Sequence, residues 1–390
     1  MKTYLIVGNG VAGTTAAESI RNQDPTGRIT ILSEEDTPFY YRIRLNEFIA
    51  GDIDENKLIA KKDSWYGDQR IALRLNTRIA ELDAKGKRLF TADGEELTFD
   101  RLLLAAGSHS FLPPIEGVDQ CGVFSLRHIK DARAIRSQAE NSKEAILIGG
   151  GLLGLEAGNA LRKLGKKVTV VEFFPRLLPR QLDTKGAKRL QESMEEMGFT
   201  FRLSAMTKTI TGSNGRADGI ILEGGETLSG QMVIVSAGVR ANLELAKNGG
   251  LACDKGVTVN DRLETTAEGI YAAGDLAEHQ GVVSGIWPAA LQQGKVAGTN
   301  MAGGEATYQG TTMSNILKVA GIDLAAAGNI DAEGRYESQV MTSGTVYKKL
   351  VIENNQIIGC IMVGDTRNFN TITRYITEKR DIGTLKNSLL

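Results

Sequence analysis

Two glycine-rich loops carry the clearest chemical signal in this sequence. Gly8–Gly13 reads GNGVAG and Gly149–Gly154 reads GGGLLG, so both have the spacing G-x-G-x-x-G. In such a loop the first glycine permits a tight turn, the second admits a pyrophosphate against the backbone, and the third lets the next helix pack on its strand. Free N–H groups at that helix N-terminus attract the anion. We therefore expect two dinucleotide sites, with contacts from Gly8, Gly10, Val11, Ala12 and Gly13 and from Gly149, Gly151, Leu152, Leu153 and Gly154.

The segments that flank the two loops make the glycine spacing a specific signal. Because the chain has 45 glycines in 390 residues, chance alone produces the spacing roughly 0.6 times. Each loop, however, follows a short apolar strand and precedes a helical run and a second strand, which predicts two strand–turn–helix–strand repeats. The flanking segments are Tyr4–Val7, a helix to Ile20 and Ile29–Leu32 in the first repeat, and Ala145–Ile148, a helix through Leu164 and Val168–Val171 in the second.

An acidic residue follows the second strand of each repeat. Glu172 comes directly after its strand, where a carboxylate accepts hydrogen bonds from a ribose 2'-hydroxyl and repels a 2'-phosphate. The second repeat is therefore expected to favour NADH over NADPH, although Arg176, four residues on, leaves a phosphate contact open. In the first repeat the matching position is Ser33, and we assign the ribose contact to Glu34, one place later.

Composition argues against several classes of function. The 46 basic and 47 acidic residues leave a formal charge of -1, so no overall field attracts nucleic acid or anionic lipid. There is no apolar run long enough to span a membrane and no signal-peptide pattern. Cys121, Cys253 and Cys360 are too scattered for a disulfide framework, so we expect three buried thiols in a reducing, cytoplasmic setting. No cluster of residues has metal-ligand spacing, and no metal site is expected.

Two further turns stand out. Phe99–Ser108 is predicted to be a strand that runs into the small-residue turn Ala105-Ala106-Gly107. Thr265–Asp275 contains a short strand that ends in a Gly-Asp turn. For Asp275 two interpretations are open, a helix N-cap or a ligand contact.

Together these segments resemble the pyridine nucleotide-disulfide oxidoreductase superfamily, and they are similar to its rubredoxin and ferredoxin reductase branch over essentially the whole length. The resemblance implies an α/β fold with two Rossmann-like dinucleotide-binding domains, one inserted in the other, and a small α+β C-terminal domain. The implied boundaries are 1–112 and 238–310 for the FAD-binding domain, 113–237 for the NAD(H)-binding domain and 311–390 for the C-terminal domain.

The sequence of the C-terminal region agrees with a mixed α+β domain. Val346–Ile352 and Gln356–Met362 are apolar strands joined by a short turn. Phe369, Ile372 and Ile376 then recur at helical spacing. Such a stripe is typical of a core-facing helix.

The resemblance also assigns roles to residues, with FAD in the first glycine loop and NAD(H) in the second. Gly274 and Asp275 would bind the ribityl chain of FAD, and Ala106 and Gly107 match an A-T-G-like turn in which Ala106 replaces the usual threonine. The other matches are Arg42 with Arg44 along the FAD, Trp287 and Ala289 in the helix that ends at the flavin ring, Glu156 beside the nicotinamide, and Lys318 near the flavin. A solvent-facing position for Glu156 and an inert surface position for Lys318 are the open alternatives.

The implied activity is electron transfer without a thiol. Superfamily members that reduce disulfides or peroxides carry cysteines in the segment that corresponds to 39–45, and this chain has none there. We expect an FAD-dependent NADH oxidoreductase that passes electrons to a separate redox protein of the rubredoxin or ferredoxin type, with Arg42, Arg44 and Lys318 as candidate docking residues. The alternatives are a flavin component related to NADH nitrite reductase, a peroxide-producing NADH oxidase, and a sensor that binds FAD and NADH with negligible turnover.

Overall fold

The structure is a computed structural model that describes residues 1–311 and 314–383, with the side chains of 314–317 outside that description. Its α-helices in chain order are α1 (Val11–Gln23), α2 (Leu45–Ala50), α3 (Asp63–Asp68), α4 (Ile129–Glu140), α5 (Leu152–Lys163), α6 (Thr184–Glu196), α7 (Glu244–Asn248), α8 (Trp287–Met301) and α9 (Phe369–Glu378). Short 3-10 turns cover Arg42–Arg44, Glu55–Lys57 and Gly274–Leu276.

The strands, likewise in chain order, are β1 (Thr3–Val7), β2 (Arg28–Leu32), β3 (Ile71–Arg74), β4 (Ile79–Asp83), β5 (Arg88–Thr91), β6 (Glu96–Thr98), β7 (Arg101–Leu104), β8 (Ser108–Ser110), β9 (Val123–Phe124), β10 (Glu144–Ile148), β11 (Lys167–Val171), β12 (Phe199–Arg202), β13 (Thr207–Ser213), β14 (Arg216–Leu222), β15 (Thr227–Ser229), β16 (Met232–Val235), β17 (Val239–Ala241), β18 (Val257–Val259), β19 (Ile270–Ala272), β20 (Ala277–His279), β21 (Ser314–Val319), β22 (Ile322–Gly328), β23 (Glu337–Ser343), β24 (Val346–Glu353) and β25 (Gln356–Val363). None of the helices in the described part of the chain is long and apolar enough to cross a membrane.

The chain divides into two compact units. Unit 1 comprises Met1–Arg42, Asp54–His109 and Val239–Thr311, and unit 2 comprises Ile43–Ile53, Ser110–Gly238 and Thr312–Leu390. The short segment with α2 therefore groups with the second nucleotide-binding repeat, because Phe48 stacks on the Arg136 guanidinium and Asp52 pairs with Lys163 at 2.6 Å. The division into three domains stays a prediction.

Unit 1 is built on a parallel sheet with the order β19-β7-β1-β2-β3. Its central strands are continuous apolar runs that are buried on both faces, as parallel sheets require. α1 packs against α8 at very short range, since a Cβ atom on Gly294 would lie 2.4 Å from the Ala12 carbonyl oxygen and one on Gly298 would lie 2.4 Å from that of Ala16. This unit also contains a three-stranded antiparallel sheet, β4-β5-β6, the parallel pair β18-β20, and β17 paired with β8.

The first sheet of unit 2 repeats this arrangement with the order β12-β11-β10-β16-β9, again with parallel pairing. An antiparallel sheet, β13-β14-β15, accompanies it. In both units the strand that precedes the glycine loop lies in the sheet interior, and the strand order reverses beside it. Ligands of such sheets bind at this reversal, outside the carboxyl ends of the strands.

The C-terminal region of unit 2 is an antiparallel sheet of order β21-β22-β25-β24-β23, and α9 packs on it. β24 and β25 are joined by Asn354 and Asn355, both with positive φ, which is the conformation that a two-residue hairpin turn needs. Phe369 and Ile372 of α9 are buried in the core of this region, and Ile376 is partly buried against it. The predicted strands, turn and helix are confirmed.

A buried polar cluster connects this antiparallel sheet to α6. Asp183 accepts a 2.9 Å hydrogen bond from the Gly186 N–H at the start of α6 and a 2.6 Å bond from the Tyr347 hydroxyl. The Lys349 ammonium lies 3.4 Å from Asp183 and donates to the carbonyl oxygens of Ile330 and Asp331. The Lys349 side chain is 6% exposed, so its charge is stabilised almost entirely by these partners.

Replacing Lys349 by Met should lower the free energy of unfolding by about 3 to 5 kcal/mol, because two buried carboxylates would lose their cation. Urea unfolding followed by circular dichroism measures the change. As a control, Lys188→Met breaks a 3.8 Å pair with Glu192 in which the lysine is 75% exposed, and it should cost less than about 0.5 kcal/mol. Equal losses for both variants would contradict the assignment.

Candidate functional site

The first glycine loop connects β1 to α1 at the carboxyl edge of the unit 1 sheet. A Cβ atom on Gly8 would lie 2.1 Å from the Ala105 carbonyl oxygen, and one on Gly13 would lie 2.0 Å from that of Gly8, so neither position can carry a side chain. A Cβ atom on Gly10 would meet nothing within 4 Å. Gly10 is the N-cap of α1, and no side chain caps that helix. The open space faces unsatisfied N–H groups, which suits a pyrophosphate.

The second loop has the same geometry in unit 2. A Cβ atom on Gly149 would lie 2.3 Å from the Ser236 carbonyl oxygen, and one on Gly154 would lie 2.5 Å from that of Gly149. Gly151 has open space and is the N-cap of α5, again without a capping side chain. Leu153 is 46% exposed in the first turn of that helix, so it can contact a bound ligand.

Glu172 is held as a hydrogen-bond acceptor directly after β11. Its Oε2 accepts from the Gly150 N–H at 2.6 Å, and its Oε1 accepts from the Phe174 N–H at 2.8 Å. The carboxylate is therefore fixed beside the glycine loop. Arg176 donates to the backbone oxygens of Leu182 and Pro179, so part of its guanidinium is engaged within its own loop, and its contact with a 2'-phosphate stays an open alternative.

The corresponding position in the first repeat differs. Ser33 is buried directly after β2, and its hydroxyl accepts from the Glu35 N–H. Glu34 is exposed. Glu35 accepts from Arg42 at 2.8 Å and from the Tyr40 hydroxyl at 2.6 Å. The ribose contact of Glu34 stays a prediction, because the structure shows only its exposure.

Asp275 lies in the 3-10 turn after β19, beside the turn that follows β7. Its Oδ2 accepts a 3.0 Å hydrogen bond from the Ser108 hydroxyl. The N-cap interpretation of Asp275 is wrong, since Ala273 occupies the cap position of this turn and no side chain caps it. The short strand and the following turn are held instead by parallel pairing between β19 and β7.

Two buried amide groups next to the first loop have unused donors. Gln293 is 1% exposed and accepts from the Gly274 N–H at 2.8 Å. Asn9 accepts from the Tyr66 hydroxyl at 3.0 Å. The Gln293 Nε2 and the Asn9 Nδ2 find no hydrogen-bond partner among the residues that the structure describes. Because buried donors are normally satisfied, an acceptor-rich ligand fits here. FAD, with its pyrophosphate and ring carbonyls, has this chemistry.

Three aromatic rings, two of them from the segment 39–45, pack together in unit 1. Trp287, at the start of α8, stacks with Phe39 at 5.9 Å and with Tyr41 at 6.0 Å between ring centroids. Ala289, two residues on, is buried. Arg42 and Arg44 belong to a 3-10 turn rather than to an extended strand, so their spacing of two does not place them on one face.

Glu156 is half-buried on α5 rather than solvent-facing. Its Oε1 accepts from the Ala320 N–H at 3.0 Å, and burial raises the pKa of its carboxyl group. Ala320 has a left-handed φ of +53° in the turn between β21 and β22, a conformation that costs energy in a residue with a Cβ. Lys318 is largely exposed and lies 4.0 Å from Asp323, which agrees with the surface alternative.

The cysteines are not equivalent. Cys360 is buried, and burial raises its pKa to about 12, while burial also raises the pKa of Cys253. Both thiols are therefore disfavoured as thiolates. The expectation that all three are buried is wrong, since Cys253 is only partly buried and Cys121 is exposed. Cys121 is fixed through its backbone, which bridges to Arg216, so its side chain needs no core contact.

The comparison with protein families decides the identity. Residues 2–294 match the family described as pyridine nucleotide-disulphide oxidoreductase, and residues 314–380 match the rubredoxin NAD+ reductase C-terminal domain. The chain belongs to this pyridine nucleotide-disulphide oxidoreductase family.

Individual relatives in the family point to two kinds of enzyme. Nitrite reductase [NAD(P)H] of Bacillus subtilis (strain 168) is 35% identical over 100% of this chain and 49% of its own sequence. The chain thus spans about half the length of that relative. NADH-rubredoxin oxidoreductase of Clostridium acetobutylicum is 32% identical over 93% of this chain and 90% of its own. The crystal structure of NADH:rubredoxin oxidoreductase from Clostridium acetobutylicum superimposes with a TM-score of 0.84 at 29% identity, covering 98% of this chain and 96% of that one.

These findings confirm several predictions from the sequence. The family, which its description names an oxidoreductase family, and the α/β fold class with a C-terminal domain are confirmed. FAD and NAD(H) are confirmed as the cofactors of the family. The individual contact residues stay predictions.

Sequence reasoning missed some of the residues that shape the site. Ser236–Gly238 lies against the second glycine loop as Ala105–Gly107 lies against the first. Comparing LAAGS at 104–108 with VSAGV at 235–239 would have revealed this repeat. Ser108 and Asn9 were also missed, and their partners Asp275 and Tyr66 lie 167 and 57 residues away in sequence.

Replacing Glu172 by Arg should reduce the preference for NADH over NADPH by about 10- to 100-fold in kcat/KM, because the ribose hydroxyl loses an acceptor and a 2'-phosphate gains a partner. Steady-state kinetics with both nucleotides measures the ratio. Glu172→Gln, which removes the charge but keeps an acceptor, should give an intermediate ratio. An unchanged ratio in the arginine variant would refute the ribose contact.

Replacing Glu156 by Gln tests the buried carboxyl group. Its folded-state pKa lies above the ordinary value of 4.5, so the native state binds this proton more tightly than the unfolded state does. The free energy of unfolding therefore falls as the pH rises from the unfolded-state pKa to the folded-state pKa. Gln cannot titrate but still accepts from Ala320. The stability of the wild type relative to Glu156→Gln should therefore fall as pH rises above 4.5 and become constant above the folded-state pKa, as urea unfolding measures. Nearby Glu47 and Lys163 are present in both proteins, so their contributions cancel in the comparison. A difference in the free energy of unfolding that does not change with pH would contradict the prediction.

Proposed function

We propose that the protein transfers electrons from NADH through FAD to a separate small redox protein of the rubredoxin or ferredoxin type. The observation that carries this proposal is the pair of similar crevices at the carboxyl edges of two parallel sheets, in a chain whose segment 39–45 has aromatic residues and no thiol. The rubredoxin reductase relative, similar over nearly its whole length, supports the same acceptor.

We assign FAD to the crevice of unit 1 and NADH to that of unit 2. When bound, FAD supplies the ability to accept two electrons together as hydride and to release them singly. In unit 1 the N-terminus of α1 would bind the pyrophosphate, Asp275 would accept from ribityl hydroxyls, and Asn9 and Gln293 would donate to ligand oxygens.

In unit 2 the N-terminus of α5 would bind the NADH pyrophosphate and Glu172 its adenosine ribose. Glu156, oriented by the Ala320 N–H, would hold the nicotinamide amide. Gly10 and Gly151 leave the backbone accessible in both crevices. This arrangement binds and orients the two dinucleotides, which is the main contribution that a protein makes to hydride transfer.

The three basic residues that are candidates for docking each lie near a carboxylate. Arg42 pairs with Glu35, Arg44 pairs with Glu47 at 2.7 Å, and Lys318 lies near Asp323. Each base therefore has a carboxylate partner that reduces its field. We retain the three as docking candidates whose removal should change the association rate and its salt dependence more than the chemistry. A cytoplasmic location is also proposed, on the basis of NADH as donor and three unpaired cysteines.

A second candidate function is the flavin part of a nitrite-reducing system. It is favoured by the 35% identity to nitrite reductase over the full length of this chain, which spans about half of that relative. In this case the acceptor would be a sirohaem protein. The two candidates share the chemistry at FAD and differ only in the electron acceptor.

Carrier-dependent NADH oxidation tests the proposal. With purified FAD-loaded protein, we expect rubredoxin or a [2Fe-2S] ferredoxin to raise the rate of NADH oxidation at least about tenfold above the oxygen background, because one-electron carriers relieve slow reoxidation. The rate is followed at the NADH absorbance band, and carrier reduction is followed at the iron-thiolate band.

The other outcomes separate the alternatives. Acceleration only by a sirohaem protein supports the nitrite reductase candidate. Rates equal to the oxygen background, with hydrogen peroxide as product, support an NADH oxidase. A reduced complex that persists for minutes in air with every carrier supports a sensor. Any of these three results would overturn the rubredoxin or ferredoxin proposal.

A further inference from the structure

Asn242, which no sequence motif indicated, is bonded to three points of the turn after β7. Its Nδ2 donates to the Ala106 carbonyl oxygen at 2.8 Å, and its own N–H donates to the Gly107 carbonyl oxygen at 3.0 Å. Its Oδ1 lies 2.6 Å from the Nδ1 of His109. Asn242 follows β17 directly, and its side-chain partners lie at least 133 residues away in the sequence, within unit 1.

The turn that Asn242 holds forms one wall of the crevice in unit 1. β7 is the neighbour of β1 on the side where the strand order reverses, and the Ala105 carbonyl oxygen lies against Gly8. A ligand in the first glycine loop must therefore pass beside this turn. Gly107 has a φ of +68°, which glycine adopts without strain but which it leaves as easily, so hydrogen bonds from outside the turn help to hold it in one conformation.

The next residue of the turn connects it to Asp275. Ser108 is 4% exposed and donates from its hydroxyl to the Asp275 Oδ2 at 3.0 Å. The Ser108 hydroxyl is thus one of the groups that orient the Asp275 carboxylate, and Ser108 directly follows the turn that Asn242 bonds from the other side. Hydrogen-bonded side chains in a low-dielectric interior are coupled, so a displacement of the turn reaches the carboxylate through this bond.

We propose that Asn242 is a positioning residue for FAD. It fixes the Ala106–Gly107 turn against the first glycine loop and, through Ser108, aims the Asp275 carboxylate at the ligand. The Asn242 side chain supplies the turn with a hydrogen bond at the Ala106 carbonyl oxygen. This inference rests on the proposed assignment of FAD to unit 1.

Three variants test the role. Asn242→Ala removes both side-chain contacts. Asn242→Asp keeps the size and the oxygen near His109 but places an acceptor opposite the Ala106 carbonyl oxygen. The matched control is Asn260→Ala, also in unit 1, where an exposed asparagine makes three side-chain hydrogen bonds within its own loop. FAD affinity is measured by fluorescence quenching as apoprotein is titrated with FAD, and bound FAD is examined by visible circular dichroism.

We expect the Kd for FAD to rise about tenfold in Asn242→Ala, and at least as much in Asn242→Asp, with a changed visible dichroism of the bound flavin. Asn260→Ala should leave both unchanged. Urea unfolding of each apoprotein is measured in parallel, because a purely structural role would lower apoprotein stability while leaving the spectrum of bound FAD intact.

Two results would overturn the proposal. One is a Kd for FAD within twofold of the wild type in both Asn242 variants. The other is a pair of results. Asn242→Asp binds FAD with the wild-type Kd, and the rise in Kd of Asn242→Ala is fully explained by the lower free energy of unfolding of its apoprotein. If the wild-type protein binds FAD but reduces no carrier, the proposed function fails and this inference stands. If the wild type does not bind FAD, both fail.

Discussion

The close approach of backbone to backbone beside each glycine loop is the constraint on which the rest of the structure depends. At Gly8 and at Gly149 the space for a Cβ atom is taken by a carbonyl oxygen of the neighbouring strand's turn, at 2.1 and 2.3 Å. Only glycine permits that approach. It brings the N-terminus of a helix and the end of a second strand to the same point, and open space remains at Gly10 and Gly151. The proposed anion site in each unit follows from this packing rather than from a charged side chain.

The two crevices share a backbone plan but differ in their polar groups. In unit 2 the carboxylate of Glu172 is bonded to two backbone N–H groups and is the dominant charge beside the loop. In unit 1 the corresponding serine is buried, and the nearby Glu35 is paired with Arg42. Unit 1 instead offers unused amide donors from Asn9 and Gln293. One fold can therefore hold two different dinucleotides, because specificity lies in side chains outside the shared turn.

Local patterns in the sequence predicted the strands and helices on either side of the glycine loops. The features that these patterns did not predict depend on contacts between residues far apart in the sequence. β1, α1 and β2 begin or end within three residues of the predicted segments, because apolar runs and glycines act over short distances. The partners of Asp275 and Glu156 could not be found in this way, since Ser108 and Ala320 lie more than 160 residues from them. The grouping of 43–53 with unit 2 and the exposure of Cys121 also depend on tertiary packing.

The buried Lys349 has a consequence for how this chain could have been assembled in evolution. The Lys349 ammonium pairs with one carboxylate oxygen of Asp183, and the other oxygen of Asp183 caps α6. A strand of the C-terminal sheet therefore supplies the counter-ion for a carboxylate of the second nucleotide-binding repeat. A foreign C-terminal sheet that covered Asp183 without supplying a cation would leave a desolvated carboxylate without a counter-ion. Recombination that exchanges this sheet must therefore bring a matching cation or change the residue at position 183 as well.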